Sequence, residues 1–71
     1  MRTAQEVADN VRAALARRRM SQEAAAAGIG MSRAALNNRL NGKTAFDVAE
    51  LERLSEVLDV PYSQLVEVTP R

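Results

Sequence analysis

Residues 21–40 read SQEAAAAGIGMSRAALNNRL, and this stretch decides the fold. It holds two runs of helix-forming residues, each preceded by a serine, with two glycines between them. We expect Ser21 and Ser32 to cap the two helices, because a serine hydroxyl accepts a hydrogen bond from a free backbone N–H of the first turn. We expect Gly28 to end the first helix in a left-handed conformation, and Asn41-Gly42 to end the second.

Two short helices joined by a glycine-containing turn have the geometry of a helix-turn-helix motif, here at about residues 21–40. The motif needs small side chains where its helices cross and an apolar residue in the turn. Ala25, Ala26 and Ile29 provide these features. Any tight corner between two helices has the same needs, so the pattern alone does not specify a function.

Apolar residues on both sides of this stretch also recur at helical spacing. The repeats predict a first helix with the stripe Val7, Val11 and Leu15, and a fourth with the face Val48, Leu51, Leu54 and Leu58. Asp47 with Glu50 is a cap pair for the fourth helix, and Pro61 suits the start of a fifth, Tyr62 to about Val66. We therefore predict an all-α fold: one compact five-helix domain over residues 1–71, with a tail at 67–71.

Composition excludes several classes of function. The 71 residues include no cysteine and no histidine, so disulfides, cysteine or histidine metal sites and the usual general base are absent. We expect no enzymatic activity, no metal, no cofactor and no small-molecule ligand. With no signal peptide and no apolar run near the ~20 residues of a membrane span, we expect a cytoplasmic protein without a membrane partner.

The charge is distributed unevenly although its sum is only +1. Residues 1–46 contain eight basic and three acidic side chains, a net charge of +5. Residues 47–71 contain two basic and six acidic side chains, a net charge of −4. A basic half favours a polyanionic partner, although ordinary solvated charge would give the same pattern.

The third helix has an unusual polar face: Arg33, Ala34, Asn37, Asn38 and Asn41, with no acidic residue. Arginine pairs in bidentate fashion with guanine and asparagine with adenine, while a small apolar side chain fits against a thymine methyl group. This composition favours the reading of base edges in double-stranded DNA.

From Met20 to Thr44 the sequence resembles the lambda-repressor/Cro-like helix-turn-helix family. The Ser-Gln opening, the Gly-Ile-Gly turn, the Ser-Arg start of the third helix and the Asn-Gly-Lys ending match in register, and the likeness extends over about residues 5–66. The resemblance implies a compact five-helix domain, usually dimeric on DNA, of the kind found in phage and bacterial repressors.

The resemblance also implies roles for individual residues. Base reading falls to Arg33, Ala34, Asn37 and Asn38, and phosphate contacts to Gln22, Ser32, Asn41 and Lys43. Leu15 stands where many relatives have an arginine, so an internal salt bridge of that kind is absent. Ala25 stands where relatives often have leucine, which thins the core. Arg39 replaces an apolar residue and is either a further phosphate contact or a core-edge arginine over apolar surface.

Two further groups of residues are candidates for surface contacts. Arg17, Arg18 and Arg19 either touch phosphates beside the groove or form a solvated helix end. The candidate dimer surface is Tyr62, Leu65, Val66 and Val68.

These features lead us to expect a sequence-specific transcriptional regulator of the nucleoid, most like a small Cro-type phage repressor because no sensor or oligomerisation domain follows. Its partner would be a two-fold operator bound by a homodimer. Two alternatives stay open: a recombination directionality or architectural DNA-binding factor, and an antitoxin-like module whose partner is a protein.

Overall fold

The computed structural model describes residues 3–67, which fold into five α-helices and contain no strand. The helices are α1 (Thr3–Arg17), α2 (Gln22–Gly28), α3 (Arg33–Leu40), α4 (Val48–Leu58) and α5 (Tyr62–Val66). The all-α, five-helix prediction is confirmed, and α2 and α3 form the helix-turn-helix. Most of the predicted tail, residues 68–71, lies outside the described residues.

One apolar core joins all five helices. α1 packs on α3 and α5, α2 on α3 and α4, and α4 on α5. The largest completely buried side chains are Val11, Leu36, Leu40, Leu54, Leu58 and Leu65. Leu15 is also buried in this core, so the position where an internal salt bridge was expected to be absent is filled by apolar packing.

The predicted helix starts are confirmed. The hydroxyl oxygens of Ser21 and Ser32 accept hydrogen bonds of 3.0 Å from the backbone N–H groups of Ala24 and Ala35. Asp47 and Glu50 form a reciprocal capping box at the start of α4. Each cap satisfies donors that have no partner within the helix, so the short helices begin at defined residues.

The prediction that Gly28 ends α2 in a left-handed conformation is wrong. Gly28 is the last helical residue, and Gly30 has the positive φ of 72°. The N–H of Met31 reaches back to the carbonyl of Ala26 at 2.9 Å, which is the Schellman pattern and places the left-handed residue one position before Met31.

Gly28 has a different role: it lies where α2 comes close to α4, and a side chain there would crowd Val57. A Cβ atom built on Gly28 would lie 3.1 and 3.2 Å from the two methyl groups of Val57. α2 therefore approaches α4 closely, and the small side chains of Ala25 and Ala26 are buried in the core.

Val48 was predicted on the apolar face of α4, and this is also wrong. Its exposed fraction is 61%, whereas Leu51, Leu54 and Leu58 are buried. At 100° per residue, Val48 lies about 100° from the centre of the stripe that includes Glu50 and these leucines. Glu50, a charged residue, is buried at the edge of this stripe farthest from Val48.

Two helices end on left-handed residues that are not glycine, Arg19 (φ 52°) and Asp59 (φ 55°). We predict that Arg19→Gly raises the free energy of unfolding by about 1 kcal/mol, because glycine adopts this conformation without a Cβ clash. Urea unfolding measures the change. The matched control Arg17→Gly, in the last turn of α1, should lower stability by about 1 kcal/mol. Equal effects of the two changes would contradict the assignment.

Candidate nucleic-acid interface

The third helix divides into a buried side and an exposed side. Leu36 and Leu40 are completely buried in the core. The side chains of the opposite face are all exposed, as the sequence predicts: Arg33, Ala34, Asn37, Asn38 and, just beyond the helix, Asn41. The face carries one cation, several amides and no carboxylate, so it offers hydrogen-bond donors and acceptors to a partner without repelling an anion.

The start of this face is held by the turn between α2 and α3. Ser32, which is exposed, caps α3 with extended backbone angles (φ −72°, ψ 155°). Gln22, the first residue of α2, is partly exposed. Helix N-termini carry unpaired N–H groups and a positive dipole end, so the starts of α2 and α3 suit phosphate oxygens.

The end of α3 is a second Schellman turn. Gly42 has a φ of 79°, and the N–H of Lys43 donates to the carbonyl of Asn38 at 2.9 Å. The turn leaves the side chains of Asn41 and Lys43 exposed beside the α3 face. A Cβ on Gly42 would lie 2.6 Å from the side-chain oxygen of Gln5, so the start of α1 also approaches this turn.

A comparison with protein-family models matches residues 11–65 to a helix-turn-helix model. The match runs from α1 to α5 and spans well over half of the chain. The chain belongs to the lambda-repressor-like helix-turn-helix family. Members of this family are DNA-binding regulators, and this chain is therefore a DNA-binding helix-turn-helix protein.

The likeness of the chain to this family rests on that model. Searches of curated proteins and of solved structures find no match. Within residues 3–67, no helix has both the length and the apolar character needed to cross a membrane.

Arg39 is the residue for which two roles stayed open in the helix-turn-helix motif. Its Nε donates to Glu50 Oε1 at 2.9 Å, and one terminal nitrogen donates to the carbonyl of Ala35 at 3.0 Å. The Arg39 side chain is 20% exposed and that of Glu50 is 9% exposed. Two of its three nitrogens are thus engaged between α3 and α4. Arg39 is therefore a core-edge arginine, and it is not among the proposed phosphate contacts.

The arginines at the end of α1 differ from one another. A terminal nitrogen of Arg18 donates to the carbonyl of Asp59 at 2.7 Å, which ties α1 to the turn between α4 and α5. Arg17 lines an open cavity of about 640 Å³ beside α5, together with Pro61 and Glu67. Arg19 is exposed and adopts the left-handed conformation. Arg17 and Arg18 thus both lie beside the turn between α4 and α5.

Three of the four candidate dimer residues lie in the described part of the chain, and one of these three is buried. Leu65 is completely buried, so it belongs to the core of the domain and is removed from that surface. Tyr62 and Val66 are partly buried and pack against the core. Val68 lies outside the described residues.

Three positions with structural roles near the interface were missed at the sequence level. Arg12 donates to the carbonyl of Leu40 and to the side chain of Asn41, and Asn10 donates to the carbonyls of Leu65 and Glu67. Glu50 was recognised as a cap residue but not as the partner of Arg39. These bonds join residues 11 to 57 positions apart, and no local pattern marks them.

We predict that Glu50→Gln lowers the free energy of unfolding by about 2 kcal/mol, because it leaves the largely buried guanidinium of Arg39 without an opposite charge. Arg39→Met in the Glu50→Gln background should recover part of the loss. Thermal unfolding of the two single variants and the double variant gives the coupling. Additive losses would show that the ion pair does not couple α3 to α4.

Proposed function

We propose that this protein is a sequence-specific transcriptional regulator of double-stranded DNA, a repressor of the phage or prophage Cro type. The observation that carries the proposal is the exposed face of α3, where Arg33, Asn37 and Asn38 stand on a helix without acidic residues. Membership of the helix-turn-helix family supports insertion of this helix into the major groove.

Base reading is assigned to the first two turns of α3. Arg33 is its first residue, and Asn37 follows one turn later on the same side. The pair Ala34 and Asn38 repeats this spacing beside it. In this motif the N-terminal residues of the second helix contact base edges, where arginine selects guanine, asparagine selects adenine and alanine accepts a thymine methyl group.

Phosphate contacts are assigned to the two ends of the motif. Gln22 and Ser32 lie at the starts of α2 and α3, and Asn41 and Lys43 lie in the turn after α3. These groups are spaced along the edge of the reading face, so they would set its register on the DNA backbone. Such contacts supply much of the affinity and make it dependent on salt.

A single α3 reads only a few base pairs, so repressor affinities of about 10⁻⁸–10⁻¹¹ M require more than one copy. We propose a homodimer on a two-fold operator in the bacterial nucleoid, with half-sites about 34–36 Å apart, as is typical of this motif. The partly buried Tyr62 and Val66 at α5 are the described residues proposed to line the dimer contact.

Selection of bound sequences from a random DNA pool at near-physiological salt tests the function. We expect an enriched inverted repeat with half-sites one helical turn apart. Recovery of DNA without enrichment would overturn sequence-specific regulation in favour of architectural binding. Recovery of no DNA by the folded protein would overturn DNA binding in favour of a protein partner.

We predict that Arg33→Ala costs about 1–3 kcal/mol on the selected site and relaxes the preference at one base pair of each half-site. The reason is the loss of a bidentate contact to guanine, and the measurement is a titration against every single-base variant of the site.

Lys43→Ala is the matched control for Arg33→Ala, since it also removes one exposed cation. We expect it to weaken all sequences alike and to lower the slope of log K against log salt by about 0.9 for each half-site. An unchanged base preference in Arg33→Ala, or a loss at one sequence alone in Lys43→Ala, would contradict the division between base and phosphate contacts.

A further inference from the structure

Arg12 joins α1 to the end of α3 through two nitrogen atoms. Its Nε donates to the backbone carbonyl of Leu40 at 3.2 Å, and its Nη2 donates to the side-chain oxygen of Asn41 at 2.8 Å. Leu40 and Asn41 are the last residue and the C-cap of α3. The guanidinium is thus placed at the negative end of the helix dipole, where a positive charge is stabilising.

The other carbonyls of the last turn of α3 are satisfied by the backbone. Those of Asn37, Asn38 and Arg39 accept from the N–H groups of Asn41, Lys43 and Gly42, respectively. The Leu40 carbonyl has no backbone donor in this turn, and it accepts a hydrogen bond from Arg12 instead. Arg12 therefore completes the hydrogen bonding of the helix end from which Asn41 and Lys43 project.

The same contact determines the orientation of the Asn41 side-chain amide. A guanidinium has only donors, so the Asn41 atom that faces Arg12 must be the oxygen. The NH₂ group of Asn41 then points away from Arg12. Among residues 3–67 it donates to no other group, and the residue is exposed. An amide held in this way presents two N–H donors, as a phosphate oxygen requires.

We infer that Arg12 is a positioning residue for DNA binding: by holding the oxygen of Asn41, it aims the Asn41 NH₂ group at the DNA backbone. The inference rests on the proposed function, because it takes Asn41 as a phosphate contact. Arg12 itself contacts no DNA in this arrangement and acts through Asn41.

A double-mutant cycle on the selected DNA site tests the inference. Arg12→Met removes both donors, and Asn41→Ala removes the group that Arg12 is inferred to aim. We expect the weakening caused by Arg12→Met to be about threefold to tenfold smaller in the Asn41→Ala background than in the wild-type protein, the range of one hydrogen bond. Equal weakening in both backgrounds would show that Arg12 contacts phosphate directly or acts only on stability, and would overturn the inference.

Two additions keep the cycle decisive. Arg53→Met, which removes an exposed arginine from α4, is the matched control and should show no coupling to Asn41→Ala. If the Arg12→Met protein unfolds near the temperature of the binding measurement, the cycle is repeated with Arg12→Lys in place of Arg12→Met. Lysine keeps the positive charge but has a single donor nitrogen, whereas arginine donates from two nitrogens to Leu40 and Asn41.

A measurement without DNA separates this inference from the proposed function. In the free protein, Arg12→Met should shift the NMR signals of the Asn41 side-chain NH₂ group, which Asn41→Ala identifies by their loss. Unchanged signals would overturn the Arg12–Asn41 contact even if the protein binds an operator. Shifted signals in a protein that selects no DNA would mean that the proposed function has failed while the contact is real, and the inferred role would fall with it.

Discussion

Leu36 and Leu40 are the two buried residues of α3, and the presentation of its polar face depends on their burial. An eight-residue helix is unstable by itself in water, so α3 exists only while it is docked. Burying each leucine contributes roughly 1.5–3 kcal/mol, and the rest of the side chains of this helix contribute little to the core. α3 thus depends on two leucines for its place in the core, while its opposite face stays exposed.

Polar contacts attach α3 to its neighbours in addition to these two leucines. The Arg39–Glu50 pair joins the last turn of α3 to α4 at 2.9 Å, and Arg12 joins the C-terminal residue Leu40 to α1. The carboxylate of Glu50 is itself held by the backbone N–H of Asp47. The chain thus uses a capping box, a common local device, to orient the partner of a long-range ion pair.

The sequence predicts those features whose cause is local. Ser21, Ser32 and Asp47 cap helices because their side chains reach N–H groups three residues away, and the exposed face of α3 follows from the spacing of its two leucines. The features that it does not predict depend on how one helix is rotated against another. The burial of Glu50 and the close approach of Gly28 to Val57 are examples. Glu50 pairs with Arg39 of α3, and α4 leaves little space beside Gly28, and neither contact can be derived from the local pattern.

The charge distribution shows that tertiary contacts also change what the sequence indicates about DNA binding. Residues 1–46 carry a net charge of +5, which at the sequence level indicates a strongly basic surface. In the folded domain, Arg12, Arg18 and Arg39 each donate to groups within the protein. At the ends of the α3 face the exposed cations are Arg33 and Lys43, with Arg12 held against the end of the helix, beside neutral amides. Since each neutralised phosphate contributes about 0.9 to the salt slope, a face of this kind gives one domain modest non-specific affinity. In the proposed complex, discrimination then depends on amide and arginine contacts to bases and on a second copy of the domain. That arrangement suits a regulator that must leave most of the DNA unoccupied.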